Sequence, residues 1–254
     1  MKPDLIFHLA SPASVSDYLA MPLETLHVNS LGTLHMLDLA RRSGAGFLYT
    51  STSEIYGDPL VHPQPETYWG NVNSVGPRAC YSESKRFAEA ATFVYRARYG
   101  LDARVVRIFN TYGPHSRADD GRIVPNFIIQ ALRNQPLTVY GDGSQTRSYC
   151  FVSDLVNGII AAMFGDRTDG EVFNLGNPDE YTVRDFAETI ARLVGSSAGV
   201  VHVALPEDDP TQRRPDITKA REHLGWAPVI DLPTGVDATV QWFREVLALP
   251  EPVV

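Results

Sequence analysis

The chain has 254 residues, 44% of them hydrophobic, and its 22 Lys and Arg against 30 Asp and Glu give a formal net charge of -8. That length buries a full core without disulfide or metal staples, and an acidic chain with no Lys/Arg cluster is a poor nucleic-acid binder. Cys80 and Cys150 lack metal-ligand spacing, Met1–Asp4 does not open a signal peptide, and no apolar run approaches the ~20 residues that cross a bilayer. A cytoplasmic protein with reduced thiols, no metal and no membrane partner is therefore expected.

In chain order, Leu5–Leu9 reads as a buried strand running into the loop Ala10-Ser11-Pro12-Ala13-Ser14. Pro22 opens a long helix to Arg42, stopped by Gly44, with apolar residues over most of its circumference, so it is buried on more than one side. Phe47–Thr50 is the next strand and breaks into Ser51-Thr52-Ser53-Glu54. A loop rich in Pro, Asn and Gly spans Gly57 to Pro77, followed by a helix from Tyr81 to Tyr99, again apolar on two faces, and a strand at Arg104–Phe109. Strands alternating with helices indicate βαβ units and a parallel sheet.

After Gly113-Pro114 the elements shorten. Helices are expected at Pro125–Arg133, Ser153–Phe164, Thr182–Val194 (opened by a capping box), up to Leu224 behind Asp216, and at Pro233–Leu247. Strands are expected at Leu137–Tyr140 and Val172–Leu175.

The chemistry gathers in Tyr81-Ser82-Glu83-Ser84-Lys85, where i and i+4 share one helix face. An ammonium beside the phenol favours the phenolate, so Tyr81 can take a hydroxyl proton as hydride leaves the carbon. The spacing alone is weak. Its context is the Ser/Thr cluster at the carboxyl end of the preceding strand, where α/β sheets place reactive groups. Thr52 can bond the hydroxyl that Tyr81 deprotonates, and Glu54 adds a carboxylate.

With HLASPAS (8–14), STSEIYGDP (51–59), the block 76–86, RIFNTYGP (107–114), DGRIVPNFI (120–128), the run 136–158 and RRPDITKA (213–220), the chain resembles the extended short-chain dehydrogenase/reductases that act on nucleotide sugars, and within them the UDP-glucuronate decarboxylase branch. The resemblance implies an internal redox cycle. The sugar C4 hydroxyl is oxidised with NAD+ as hydride acceptor and Tyr81 as base. Carbon dioxide leaves from the position β to the new ketone, C5 is protonated, and the hydride returns to C4 to give UDP-xylose.

By matching position, Thr52 bonds the C4 oxygen, Ser53 and Glu54 meet the sugar acid, and Lys85 supports Tyr81. Arg147 matches an arginine beside the substrate that assists protonation of C5. Asn110, Asn126 and Arg213 match positions holding the nucleotide diphosphate, and Tyr140 is a further substrate contact. Ala10, Ser11, Asn29, Thr50, Tyr81, Lys85 and Arg78 are expected at the cofactor, Arg78 reaching either it or the sugar carboxylate. Ser53, where nucleotide-sugar 4,6-dehydratases carry Asp, counts against dehydration. Glu54 counts against simple C4 epimerisation.

The implied fold is α/β, a Rossmann-like doubly wound parallel sheet with a smaller α/β substrate-binding domain. Residues 1–113 and 150–176 would form the NAD-binding domain, and 114–149 and 177–254 the nucleotide-sugar-binding domain. None of the 19 glycines forms the GxxGxxG turn that holds the NAD pyrophosphate, so the sheet is expected to lack its first βαβ units, roughly 60 residues. The two helices apolar on both sides imply a homodimer through a four-helix bundle. Two alternatives stand beside the decarboxylase: an epimerase or 4-keto-sugar-forming relative, and a non-catalytic nucleotide-sugar-binding partner protein.

Overall fold

A computed structural model of the chain describes residues 2–248. The first stretch contains β1 (Leu5–His8), α1 (Val15–Ala20), α2 (Pro22–His27), α3 (Thr33–Ser43), β2 (Gly46–Thr52), α4 (Ala79–Tyr99) and β3 (Ala103–Ile108). There follow β4 (Thr111–Tyr112), α5 (Ile123–Leu132), β5 (Leu137–Tyr140), β6 (Thr146–Ser148), β7 (Cys150–Phe151) and α6 (Val152–Phe164). The last group is β8 (Val172–Leu175), β9 (Glu180–Thr182), α7 (Val183–Val194), β10 (Val200–Val203), α8 (Thr218–Leu224) and α9 (Leu232–Val246).

The main sheet has the order β1-β2-β3-β8 and every pairing in it is parallel. Its alternation of side chains serves two cores. Phe47, Tyr49 and Val105 pack with Leu37, Ala40 and Ala88 of α3 and α4, while Leu48 and Val106 pack with Leu155 and Ile159 of α6 and Ala220 of α8. A parallel sheet covered on both faces is the doubly wound arrangement expected from the sequence. A separate core joins Phe127, Phe186, Val236 and Phe243 of α5, α7 and α9 to Leu137 and Val139 of β5. Thr182 caps α7 through its side-chain oxygen, which accepts from the Asp185 backbone N–H at 3.0 Å, as the capping-box sequence predicts.

Two elements differ from expectation. The loop after β1 yields an extra helix, α1, because the Ser14 hydroxyl accepts from the Asp17 N–H at 3.2 Å and caps it. The single helix expected from Pro22 is interrupted by a π-helical turn, Val28–Gly32. That turn brings Asn29 and Thr33 inward, both buried. Asn29 donates to Ser84 Oγ at 3.0 Å and the Thr33 hydroxyl donates to the Asn29 carbonyl at 2.6 Å. Thr33 Oγ therefore accepts from His8 Nε2, 3.0 Å away, which places the His8 proton on Nε2.

The outward sides of α2, α3, α4 and the π-helical turn between α2 and α3 leave Leu23, Leu31, Leu39, Phe87 and Val94 exposed. Among the described residues no helix is long and apolar enough to cross a membrane.

Candidate active site

The strand β2 is buried along its whole length and delivers Thr50 and Thr52 to the carboxyl end of the sheet. A short 3₁₀ turn, Ser53–Tyr56, follows at once, with the Thr52 hydroxyl accepting from the Glu54 N–H at 3.2 Å. Gly57 ends the turn at φ +63°, and a Cβ there would stand 1.9 Å from the Asn71 carbonyl oxygen, so only glycine fits. This tight turn aims the Glu54 carboxylate into the cleft.

From the opposite side α4 presents Tyr81 and Lys85 one helical turn apart, both nearly buried. Lys85 Nζ donates to the Thr50 carbonyl at 2.9 Å and lies 5.8 Å from the centre of the Tyr81 ring. Tyr18 of α1 stacks on Tyr81 at 4.9 Å between centroids, with 9° between the planes.

Beside this pair lies a charged cluster of three guanidiniums and two carboxylates. Arg213 Nη1 donates to Glu54 Oε1, and Arg78 Nη1 stands 3.8 Å from Glu54 Oε2. Arg78 Nη2 and Arg147 Nη2 donate to the two oxygens of Asp209 at 2.8 and 2.9 Å. One positive charge is left over. Four buried polar atoms at this cluster have no protein partner: the hydroxyls of Tyr18 and Tyr149, and Arg213 Nε and Nη2. Buried polar groups are nearly always satisfied, so these orphans mark a place for a polar, anionic ligand.

The charges set the protonation states. Burial pushes the Glu54 carboxyl up, but the Arg213 and Arg78 guanidiniums outweigh it and hold it below its ordinary value. Burial lowers the Arg147 guanidinium, against the pull of Asp209. Burial raises the Tyr81 phenol to about 12, opposed by the Thr52 hydroxyl beside it. Burial lowers Lys85 to about 7. The sequence leads one to expect Lys85 to lower the Tyr81 phenol. Burial instead raises the phenol, and it lowers the ammonium as well.

This depression has a measurable consequence. Between pH 7 and Lys85's ordinary value of 10.5 the unfolded chain binds more protons at this residue than the folded chain. The residue's contribution to stability therefore rises with pH through that window, and below pH 7 the burial cost is fully present. Lys85→Met is expected to melt higher than the unmodified chain at pH 7, by roughly 1–2 kcal/mol in stability. The gap should narrow as pH approaches 9.5, read by thermal melting. A gap that widens with pH would contradict a buried, titrating ammonium.

The remaining expected residues sit around this centre. Ser53 opens the 3₁₀ turn and is buried, and Asn29 lies under α4 through its bond to Ser84. Ala10 and Ser11 line the turn after β1, where the Ser11 hydroxyl donates to the Pro12 carbonyl at 3.1 Å. Asn110 is half-buried, and its carbonyl accepts from the Cys150 N–H at 2.9 Å. Asn126 donates to the Gly121 carbonyl at 3.0 Å, and the Tyr140 side chain is exposed. No hydrogen bond ties Asn110, Asn126 or Tyr140 into the charged cluster. Arg213, expected with the two asparagines at the diphosphate, pairs with Glu54 through Nη1 and leaves Nε and Nη2 without a protein partner.

Sequence reasoning missed Tyr18, Tyr149 and Asp209. The Ser14-to-Asp17 capping pattern could have revealed the helix carrying Tyr18. Nothing in local spacing links Asp209 to Arg78 or Arg147. Among the described residues no group of three or more His, Cys, Asp or Glu is arranged to hold a metal ion.

The comparisons with known proteins agree with this architecture. The family described as GDP-mannose 4,6 dehydratase matches residues 1–239. UDP-glucuronic acid decarboxylase 1 of Xenopus tropicalis is 52% identical over 244 residues, covering 96% of this chain and 58% of its own length. UDP-glucuronic acid decarboxylase 5 of Arabidopsis thaliana is 53% identical over 241 residues, covering 95% and 70%. The UDP-glucose 4-epimerase of Thermotoga maritima, solved with UDP-glucose, superposes with a TM-score of 0.89 at 31% identity, over 96% of this chain and 78% of that one. DesIV, a dTDP-glucose 4,6-dehydratase of Streptomyces venezuelae solved with NAD, gives 0.87 at 28% identity over 98% and 76%. The chain belongs to the GDP-mannose 4,6 dehydratase family, within the extended short-chain dehydrogenase/reductases. It spans between 55% and 72% of the length of the curated relatives named UDP-glucuronic acid decarboxylase.

Proposed function

We propose that this site converts UDP-glucuronate to UDP-xylose with NAD, losing carbon dioxide through a 4-keto sugar. The observation that carries the reading is the charged cluster set beside the Tyr81–Thr52 pair: three guanidiniums against two carboxylates, ringed by orphaned polar atoms. A carboxylate-bearing sugar diphosphate supplies the negative charge and the acceptors that such a cluster lacks. Half-identity to relatives named for this activity supports it.

The nicotinamide end of NAD fits the residues present. Lys85 Nζ is nearly buried and spends one of its three N–H donors, on the Thr50 carbonyl. Ribose hydroxyls suit the other two, with Thr50, Asn29 and the Ala10–Ser11 turn around them. The turn between β1 and α1 has no glycine and does not form a pyrophosphate cradle. When bound, NAD supplies a reversible hydride acceptor.

The chain's own residues do the rest. Tyr81 takes the C4 hydroxyl proton, and Thr52 orients that hydroxyl toward it. Arg147 and Arg78 face the sugar's acid end, where Arg147 stands to return a proton to C5. Glu54 holds Arg213 and Arg78 in place. The stacked Tyr18 and the buried β2 floor keep water away from the ketone, strengthening each electrostatic contact. By the same reading residues 1–113 and 150–176 hold the cofactor, and 114–149 with 177–254 the nucleotide sugar.

The test is the NAD content of the purified 254-residue chain and its carbon dioxide release from UDP-glucuronate. Bound NAD with UDP-xylose formed supports the reading. A second reading, a chain that binds nucleotide sugars without turnover, also fits the orphaned polar atoms of the charged cluster. Tight UDP-glucuronate binding with neither NAD nor carbon dioxide release would establish it.

The outward apolar residues of α2, α3 and α4 fit a homodimer through a four-helix bundle, two helices from each copy. Val94→Glu on α4, exposed at 62%, is expected to shift the chain to monomer at micromolar concentration in sedimentation velocity. An unchanged sedimentation coefficient would remove this face from the interface.

A further inference from the structure

Asp209 lies in the irregular stretch between β10 and α8, far in sequence from both of its partners. Each of its carboxylate oxygens is committed: Oδ1 accepts from Arg78 Nη2 at 2.8 Å and Oδ2 from Arg147 Nη2 at 2.9 Å. Arg147 is anchored a second time, by Nη1 donating to the Thr146 carbonyl at 2.8 Å, so its guanidinium is gripped at both ends. The stretch is itself held on either side of Asp209. Asp208 Oδ2 accepts from Asn73 Nδ2 at 3.1 Å, and Asp58 Oδ1 accepts from the Thr211 N–H and hydroxyl, both at 2.8 Å.

A long arginine side chain loses much rotamer freedom when fixed, and three guanidiniums crowded together repel. Without the Asp209 carboxylate, Arg78, Arg147 and Arg213 would face Glu54 alone, and Arg147 would keep only its backbone anchor. A carboxylate tethered through two loops and shared by two guanidiniums sets the direction of both. From this geometry we infer that Asp209 is a positioning residue, which holds Arg147 and Arg78 in the orientation that the acid end of the sugar requires. The inference rests on the decarboxylase reading, because that reading places the sugar acid at Arg147.

The test compares the full chain with Asp209→Asn and Asp209→Glu. Asn keeps the shape without the charge, and Glu keeps the charge on a longer arm. For Asp209→Asn the kcat on UDP-glucuronate is expected to fall ~10–100-fold, the size of effect that misplacing a reacting group causes, with KM unchanged or lower. Asp209→Glu is expected to recover part of the loss. A ¹⁵N spectrum of the arginine side chains, assigned with Arg147→Lys, is expected to show slow guanidinium rotation at Arg147 that becomes fast in Asp209→Asn.

A kcat equal to that of the unmodified chain overturns the inference and leaves the decarboxylase reading intact. So does a lower KM at unchanged kcat, which would make Asp209 a competitor for the arginines. An Arg147 guanidinium that rotates equally fast with and without the Asp209 charge overturns it whether or not the chain turns over. No turnover by the unmodified chain overturns the decarboxylase reading and this inference with it.

Discussion

Replacing Tyr81 by Phe is expected to lower turnover of UDP-glucuronate by at least ~100-fold while the melting temperature stays within a few degrees. A positioned general base contributes about 10²–10⁴ in rate, and the phenol oxygen is the atom that meets the sugar hydroxyl in the proposed reaction. Phe keeps the ring that stacks on Tyr18 at 4.9 Å, and so keeps the wall between α1 and α4. It removes only the hydroxyl that Thr52 faces. The phenol stands at about 12 and is therefore protonated at neutral pH. Positive charge favours the phenolate: the Arg122 and Arg213 guanidiniums lower the phenol, and Lys85 Nζ lies 5.8 Å from the centre of its ring. Carbon dioxide release by Tyr81→Phe within threefold of the unmodified chain would take Tyr81 out of the mechanism. UDP-glucuronate affinity, measured alongside, is expected to change little.

Asn174→Ala is expected to destabilise the fold by about 3 kcal/mol, through the loss of several buried hydrogen bonds at once. Asn174 lies near the end of β8 and is fully buried. Its Nδ2 donates to the carbonyls of Gln64 and Asp216 at 2.9 and 3.1 Å, and its Oδ1 accepts from the Tyr56 hydroxyl at 2.8 Å. Three segments meet on this one amide: the turn that carries Glu54, the loop beyond it, and the stretch that carries Arg213. Alanine leaves the buried Asp216 carbonyl without its donor and removes one of two bonds from each of the others: the Gln64 carbonyl keeps the Asp216 N–H, and the Tyr56 hydroxyl keeps Arg107. Denaturant unfolding of the variant reads the loss directly. A change under 1 kcal/mol would mean that water or a neighbouring side chain fills the gap. Arg213 is expected to lose its register with Glu54 in the same variant, so nucleotide-sugar affinity falls too.

Most of the fold is legible in the sequence because its signals are local. The strands Leu5–His8, Leu137–Tyr140 and Val172–Leu175 stand where short apolar runs meet turn residues. Lys85 falls one helical turn after Tyr81, and that spacing alone puts the two on one face. What the sequence hides depends on contacts between distant segments. The strand expected to stop at Thr50 continues to Thr52, because pairing with Arg107 and Ile108 of β3 holds Ser51 and Thr52 in the sheet. The π-helical turn at Val28–Gly32 serves buried bonds from Asn29 and Thr33 to α4 and β1, and the apolar pattern of the helix carries no trace of them. Asp209 reads as the last of three acidic residues before a proline. Its importance comes from two arginines, 131 and 62 positions upstream, that the fold brings to it.

The sheet order β1-β2-β3-β8 also bears on how the sheet can form. Its pairings join Leu5 to Gly46, Phe47 to Ala103 and Val105 to Val172, 41, 56 and 67 positions apart, the last bringing in β8. Loop closure costs only about 0.6 kcal/mol more for each doubling of length, so none of the three has a large entropic advantage. Asn174 rides on that last strand, and its three bonds organise the segments bearing Glu54 and Arg213. With no local strand pair to nucleate it, the sheet forms cooperatively, and the segments bearing Glu54 and Arg213 come together with the sheet rather than before it.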